Sequence, residues 1–373
     1  MIRGTLAALA VGFTLAMPAA AAQQYNVSFH AFALPKGGVT NTTWTSPVVR
    51  PGFGLTELVA SWNAETPPGT HIRVSMSAQR TDGTFTKWYT MGIWAFGDDD
   101  IERTSVGGQG DADGYVAIDT FFAKDHPLVG YRLQAEAVGK ATVTRLGAVA
   151  SDPINSNPYQ PSATTMSRTV DLKVPPFSQE IHAGEYPQFD GGGEAWCSPT
   201  STSMVLAYWG TGPAPADYAY VLHDYPKAQD PWVDYAARYV YDYHYNGAGN
   251  WPFNTAYAAH FGLESEVTQL RSLAEAEQFI KAKIPLVASI AFSSNKLEGF
   301  LFKSTSGHLL VIGGFTASGD VIAYDPAALS DDVVRRVYDR AEFEQAWMKS
   351  TGGIVYVIHP ASVPLPPSPG GNW

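Results

Sequence analysis

The sequence predicts a two-part protein, an all-β sandwich or jelly-roll-like first half followed by an α+β second half. Three observations predict it. Residues 25–150 repeat short apolar/polar alternations between Gly, Pro and Asp turns, with no helical period. Residues 151–165 are polar and hold three prolines, a linker composition. Residues 166–359 place helical periods first and apolar strands afterwards.

The chain opens with a signal-peptide pattern. Arg3 gives a basic start, residues 6–17 are apolar, and 18–22 supply small residues for cleavage, so residues 1–22 are expected to be removed. That segment is too short to span a bilayer, and no later stretch reaches the length of a transmembrane helix. A secreted, extracellular protein is the expectation. The formal charge is −11, which argues against nucleic acid and against anionic membrane surfaces as partners.

In the first half, runs 58–63, 71–78, 85–94, 115–121, 130–137 and 141–146 read as strands. The turn signals between them include 66–70 and Thr81-Asp-Gly-Thr84. Trp62, Trp88 and Trp94 fit either the sandwich core or a face that binds carbohydrate, another polymer or a cell-surface ligand. Asp111 and Asp113, in Gly110-Asp-Ala-Asp-Gly114, suit a calcium loop or ordinary turn chemistry, as does the run 98–100.

In the second half, 170–174 reads as an opening strand. The stretch after Gly191-Gly-Gly193 reads as a helix that ends at Gly210, with Pro199 and Thr200 suited to its first turn. Further helical patterns cover 232–242, 255–260 and 272–283. Apolar runs 285–292, 308–315, 321–324 and 353–358 read as strands. Residues 360–373 form a Pro/Gly/Ser-rich tail, expected to be disordered or extended.

The chain holds one cysteine, Cys197. This excludes an intrachain disulfide and a cysteine-cluster metal site. Cys197 falls at the predicted helix start, where backbone N–H groups and the helix dipole favour a thiolate. A lone cysteine is also a common small core residue. A cysteine hydrolase further needs a base, a group that orients the base, and oxyanion donors. Of nine histidines, His308 opens an apolar strand after Ser306-Gly307. Asp325 ends the next strand, and the turn at 317–320 closes a hairpin that brings the two residues together. For the oxyanion, the Cys197 N–H and a side-chain amide from Gln179 or Gln188 qualify. Trp196 either walls the cleft or packs. His223-Asp224 and Asp242-Tyr-His244 offer metal-type ligands but read as solvated faces. No GxSxG, HExxH or P-loop pattern occurs, and no cofactor is implied.

At these residues the sequence resembles the C39-like family of bacterial cysteine peptidases, in its exported branch. Val174-Pro-Pro-Phe-Ser-Gln179 is similar to the family's opening element, Trp196-Cys-Ser-Pro-Thr-Ser201 to its nucleophile helix, and Gly307-His308 with Asp325-Pro326 to its His and Asp/Asn elements. The resemblance covers 166–359. It implies a papain-like fold, a peptide or protein substrate, a triad of Cys197, His308 and Asp325, and Gln179 as the oxyanion glutamine. The spacing from Gln179 to Cys197 is longer than in transporter-attached members, so Gln188 stays open as the alternative. Those members cut double-glycine leader peptides; no transmembrane or nucleotide-binding domain follows here, and that substrate is not carried over. Three functions follow as expectations. The first is a peptidase or amidase acting through a thioester acyl-enzyme. The second is a transglutaminase-like acyl transferase with the same triad. The third is a non-catalytic surface-binding protein.

Overall fold

Alternation of inward and outward side chains makes the first half a pair of sheets. The structure, a computed structural model, describes residues 26–126, 128–153, 160–294 and 296–373. The expected signal segment, 1–22, lies outside the described residues. Ten strands come first: β1 (Asn26–Ala31), β2 (Val39–Thr40), β3 (Thr43–Thr45), β4 (Glu57–Glu65), β5 (His71–Gln79), β6 (Tyr89–Trp94), β7 (Gly114–Ala117), β8 (Thr120–Ala123), β9 (Gly130–Val138) and β10 (Thr142–Asp152). One antiparallel sheet has the order β1-β10-β4-β8-β7, with β2 also on β10; the other runs β3-β9-β5-β6. The sheets share a core, as Tyr89 on β6 meets Phe121 on β8 at 4.9 Å. β9 keeps a period-two burial pattern from Tyr131 onward.

β4 breaks that pattern. Its seven inner residues are buried on both faces, because the second half of the chain covers the outer face of its sheet. Trp62 and Trp94 both pack against Phe253, at 6.2 and 5.3 Å. They are therefore core residues, and neither offers a polymer-binding surface. Trp88 is half-buried with the Arg132 guanidinium over its ring. Asn63 Nδ2 donates to the Ser265 carbonyl at 2.8 Å. Arg103, fully buried, donates to the carbonyls of Arg238 and Tyr241 across the same contact.

The second half comprises β11 (Val170–Asp171), α1 (Cys197–Trp209), α2 (Ala219–Asp224), α3 (Pro231–Val240), α4 (Trp251–His260), β12 (Glu264–Gln269), α5 (Leu273–Lys281), β13 (Leu286–Phe292), β14 (Thr305–Phe315), β15 (Val321–Tyr324), β16 (Arg335–Tyr338), α6 (Arg340–Thr351) and β17 (Ile354–His359). The sheet order is β12-β17-β13-β14-β15-β16, with β11 on β14, and each pairing is antiparallel. Helix starts follow local chemistry. Asn250, Ser272 and Asp339 accept from backbone N–H groups of α4, α5 and α6. Gly210 ends α1 at φ 69°, the left-handed conformation a glycine adopts freely.

One expectation needs correcting. The run 115–121 is a hairpin rather than one strand, turning at Ile118 and Asp119 between β7 and β8. Residues 160–165, expected as linker, are held down: Thr164 and Thr165 hydroxyls donate to Glu277, which also pairs with Arg340 at 2.7 Å. The 360–373 tail is a strap. Asn372 is fully buried, and its Nδ2 donates to the Gln269 carbonyl and to Glu275, both at 2.9 Å. Phe29 N on β1 donates to the Gly371 carbonyl, and Trp373 packs on Phe279. The strap thus ties β1 to β12 and α5.

Candidate functional site

Cys197 is the first residue of α1 and is partly exposed. Trp196 supplies no side-chain cap, so the first-turn N–H groups are left for an anion. The helix is rich in Ser and Thr yet buried, because each hydroxyl has a partner. Ser198 Oγ meets Tyr356 OH at 2.9 Å, Thr200 donates to the Trp196 carbonyl at 2.7 Å, and Ser201 donates to the Leu309 carbonyl at 3.1 Å. The last of these pins the start of α1 beside His308.

His308 and Asp325 are both buried, and His308 Nε2 lies 2.7 Å from Asp325 Oδ1. Nδ1 is then the ring nitrogen left free of Asp325, and the Cys197 side chain lies near enough to this imidazole to favour its charged form. Phe300 packs edge-on against the ring at 5.1 Å. Burial disfavours charge on His308, but the Asp325 carboxylate and the Cys197 side chain outweigh it and raise its pKa to about 10. The carboxylate is itself oriented. Oδ1 accepts Ala327 N at 3.0 Å, and Oδ2 accepts the Tyr338 hydroxyl at 2.5 Å. Tyr338 comes from β16, and no local sequence signal marks it.

Gln179 hangs from the same loop, its backbone N–H donating to the Pro326 carbonyl at 3.0 Å. It is buried, and one amide hydrogen of Nε2 goes to the Glu194 carbonyl at 2.6 Å. The Gln179 side chain also acts on the neighbouring Glu180 carboxyl. The glycine loop can lie this close only without a side chain: a Cβ at Gly193 would come within 2.3 Å of the Gln179 carbonyl oxygen. Gln188, the alternative, is exposed on the preceding turn. Trp196 is fully buried, with Nε1 donating to the Phe189 carbonyl at 2.6 Å; it packs the loop and is not a cleft wall.

Beneath Gln179 lies a group that the sequence reading missed. The 3-10 turn Glu180–His182 buries His182, whose Nδ1 lies 2.8 Å from Glu185 Oε2 and 3.1 Å from Asp234 Oδ2. Burial opposes its charge, but Asp234 and Glu185 outweigh that and lift its pKa to about 9. The donor types would suit a divalent ion; Nδ1 hydrogen-bonds Glu185 at 2.8 Å, while both buried Asp234 carboxylate oxygens have no hydrogen-bond partner among the described residues. The spacing from His182 to Glu185 was the available signal; Asp234 joins only through α3.

The weak calcium candidates are otherwise engaged. Asp113 takes Arg80 through two 2.7 Å bonds, and Asp111 accepts Tyr89 OH at 2.5 Å and pairs with Lys87 at 3.3 Å. Carboxylates neutralised by neighbouring cations in this way are structural pairs. Asp98 likewise bonds Arg238 across the two halves. His223 and Asp224 pair on the surface, whereas Asp242 is buried and holds loop N–H groups.

The comparisons with known proteins place the chain in the peptidase class. Residues 171–355 match the model described as Peptidase_C39 like family, and residues 12–151 match the Peptidase C39 N-terminal domain. The chain belongs to the peptidase C39-like family. No curated protein matches it. Solved structures with some similarity include infectious bursal disease virus strains Gx and Gt. These are 14% and 13% identical, with a TM-score of 0.21, and cover 39% of this chain and 37% of theirs. The CBM22-1–GH10 modules of Clostridium thermocellum xylanase 10B are 12% identical with a TM-score of 0.19, covering 41% of this chain and 30% of that one. These likenesses carry no argument. Among the described residues, no helix is long and apolar enough to cross a membrane.

Proposed function

We propose that the protein is an exported cysteine peptidase or amidase of papain-like design, acting through Cys197, His308 and Asp325. The observation that carries this reading is the buried His308, held by Asp325 at 2.7 Å, with the Cys197 side chain at a helix start near enough to favour the ring's charged form. Export rests on the signal pattern of residues 1–22.

The chemistry follows from the proton positions. The Cys197 thiolate attacks the substrate carbonyl carbon, and the charge moves to the carbonyl oxygen. The Cys197 N–H and the Gln179 side-chain amide stabilise that oxyanion. As the C–N bond breaks, His308 Nδ1 gives its proton to the leaving amine, and a thioester remains. Water then gives a proton to Nδ1 as its oxygen attacks the thioester, releasing the acid and restoring the thiolate–imidazolium pair. Asp325 fixes the ring orientation throughout.

The test is the alkylation rate of Cys197 against pH, in wild type and His308→Ala. Fast reaction well below the ordinary thiol pKa of about 8.5, lost in the variant, is expected. An ordinary titration unchanged by the variant would overturn the reading. Cys197→Ala is expected to abolish hydrolysis with an unchanged circular dichroism spectrum.

A further inference from the structure

Phe302 is 51% exposed, on the connection between β13 and β14 that leads into His308. A single exposed apolar residue is ordinary. This one is joined ring by ring to the candidate site. Its ring lies 6.2 Å from that of Phe300, and Phe300 lies 5.1 Å from the His308 imidazole, edge-on at 73°. Phe300 also meets Phe292, the last residue of β13, at 5.1 Å. All three separations fall in the range of paired aromatic rings, about 4.5–7 Å.

The connection is held in place. Leu297 is buried, and the Phe300 N–H donates to its carbonyl at 3.3 Å. The Glu298 N–H donates to the Glu342 carboxylate of α6 at 2.8 Å, and Arg336 of β16 donates to the Gly299 carbonyl. Phe302 is therefore presented to water by an anchored segment. A ring fixed in this way costs little ordering entropy when a ligand covers it.

The chemistry decides which part of a substrate comes near these rings. The leaving amine takes its proton from His308, so its nitrogen must approach the imidazole to about 3 Å. The first side chain on the leaving side starts two bonds from that nitrogen, about 2.5 Å away. It is carried into the surroundings of the His308 ring, where Phe300 packs. Side chains before the scissile bond belong to the acyl part, which stays on Cys197.

We propose that Phe300 and Phe302 form an apolar subsite for the residue that follows the scissile bond, and that the enzyme prefers a bulky apolar side chain there. Phe300 is the floor against His308, and Phe302 is the open wall. The proposal rests on the cysteine-peptidase reading above.

The experiment first finds a peptide that wild type cleaves, by mass spectrometry of a digested peptide library. That peptide is remade with Leu or Gly directly after the scissile bond, and its acyl part is also made as a methyl ester. Wild type is compared with Phe302→Ala, whose melting temperature is expected to stay near that of wild type because the ring is half in water. The Leu/Gly ratio of kcat/KM is expected to fall about ten-fold in the variant. Phe302→Leu is expected to keep most of the ratio. Methyl ester hydrolysis and the iodoacetamide reaction of Cys197 are expected to stay unchanged, since neither places a side chain in this subsite. An unaltered Leu/Gly ratio, with ester hydrolysis and alkylation intact, would overturn the subsite and leave the hydrolase reading standing. An equal fall on every substrate, the ester included, would also overturn it, because Phe302 would then support the fold of the site rather than the substrate. No hydrolysis of any peptide or ester by wild type, with an ordinary thiol titration, would overturn both readings.

Discussion

His308 Nε2 reaches Asp325 Oδ1 at 2.7 Å across the β14–β15 hairpin, and this contact decides which imidazole nitrogen is left free. The carboxylate also supplies much of the field that raises the His308 pKa to about 10 against burial. A thiolate–imidazolium pair loses its proton on the alkaline side as His308 deprotonates. Asp325→Asn keeps an oxygen acceptor and removes the charge. The alkaline limb of kcat/KM is therefore expected to move to lower pH, with activity reduced but measurable. A pH–rate profile checks this, and an unmoved alkaline limb would contradict the coupling.

Gln179 and Gln188 make opposite predictions. Gln179 is buried beside the glycine loop, whereas Gln188 is exposed. Gln179→Ala is expected to lower kcat by roughly 10²–10³, the cost of one oxyanion donor, without altering Cys197 alkylation, which forms no oxyanion. Gln188→Ala is expected to leave both unchanged. The reverse ranking in steady-state assays would move the oxyanion role to Gln188.

The hairpin geometry and the helix-start cysteine were legible because each depends on chain-local features. Gly191-Gly-Gly193 and Pro199 mark the start of α1, and the turn at 317–320 brings His308 to Asp325. Tyr338 and Asp234 were not legible, since β16 and α3 deliver them from other elements through tertiary packing. Ile118 was misread for a physical reason: Ile is a strong strand former, and here the bond from Trp251 N to the buried Asp119 carboxylate, 2.8 Å, overrides that propensity. Trp62 and Trp94 were ambiguous until the second half was seen to cover their sheet.

The strap offers a test of packing at a distance from the chemistry. Asn372 is fully buried; Nδ2 donates to Gln269 O and Glu275, and Oδ1 accepts from Arg271 at 2.7 Å. Asn372→Ala removes three buried hydrogen bonds at once, a cost on the order of 1–3 kcal/mol. The urea midpoint is expected to fall accordingly, with Cys197 alkylation unchanged. No change in midpoint would mean that the strap adds nothing to stability.

The buried His182 makes stability depend on pH in a defined window. Its folded pKa, about 9, lies above the unfolded value of about 6.5. A raised histidine pKa means that the folded state holds the proton more tightly. The contribution is therefore complete below about pH 6.5 and is lost as pH rises through about 9. His182→Gln, which cannot carry the charge, is expected to be less stable than wild type near pH 6. The difference in stability is expected to shrink steadily toward pH 9. Because the turn Glu180–His182 begins just after Gln179, with His182 N donating to the Gln179 carbonyl at 3.1 Å, kcat is expected to fall with stability in the variant. Melting temperatures of both proteins across pH 6 to 9 check the window. A gap that stays constant would mean that His182 is neutral, and that Glu185 and Asp234 are held in some other way.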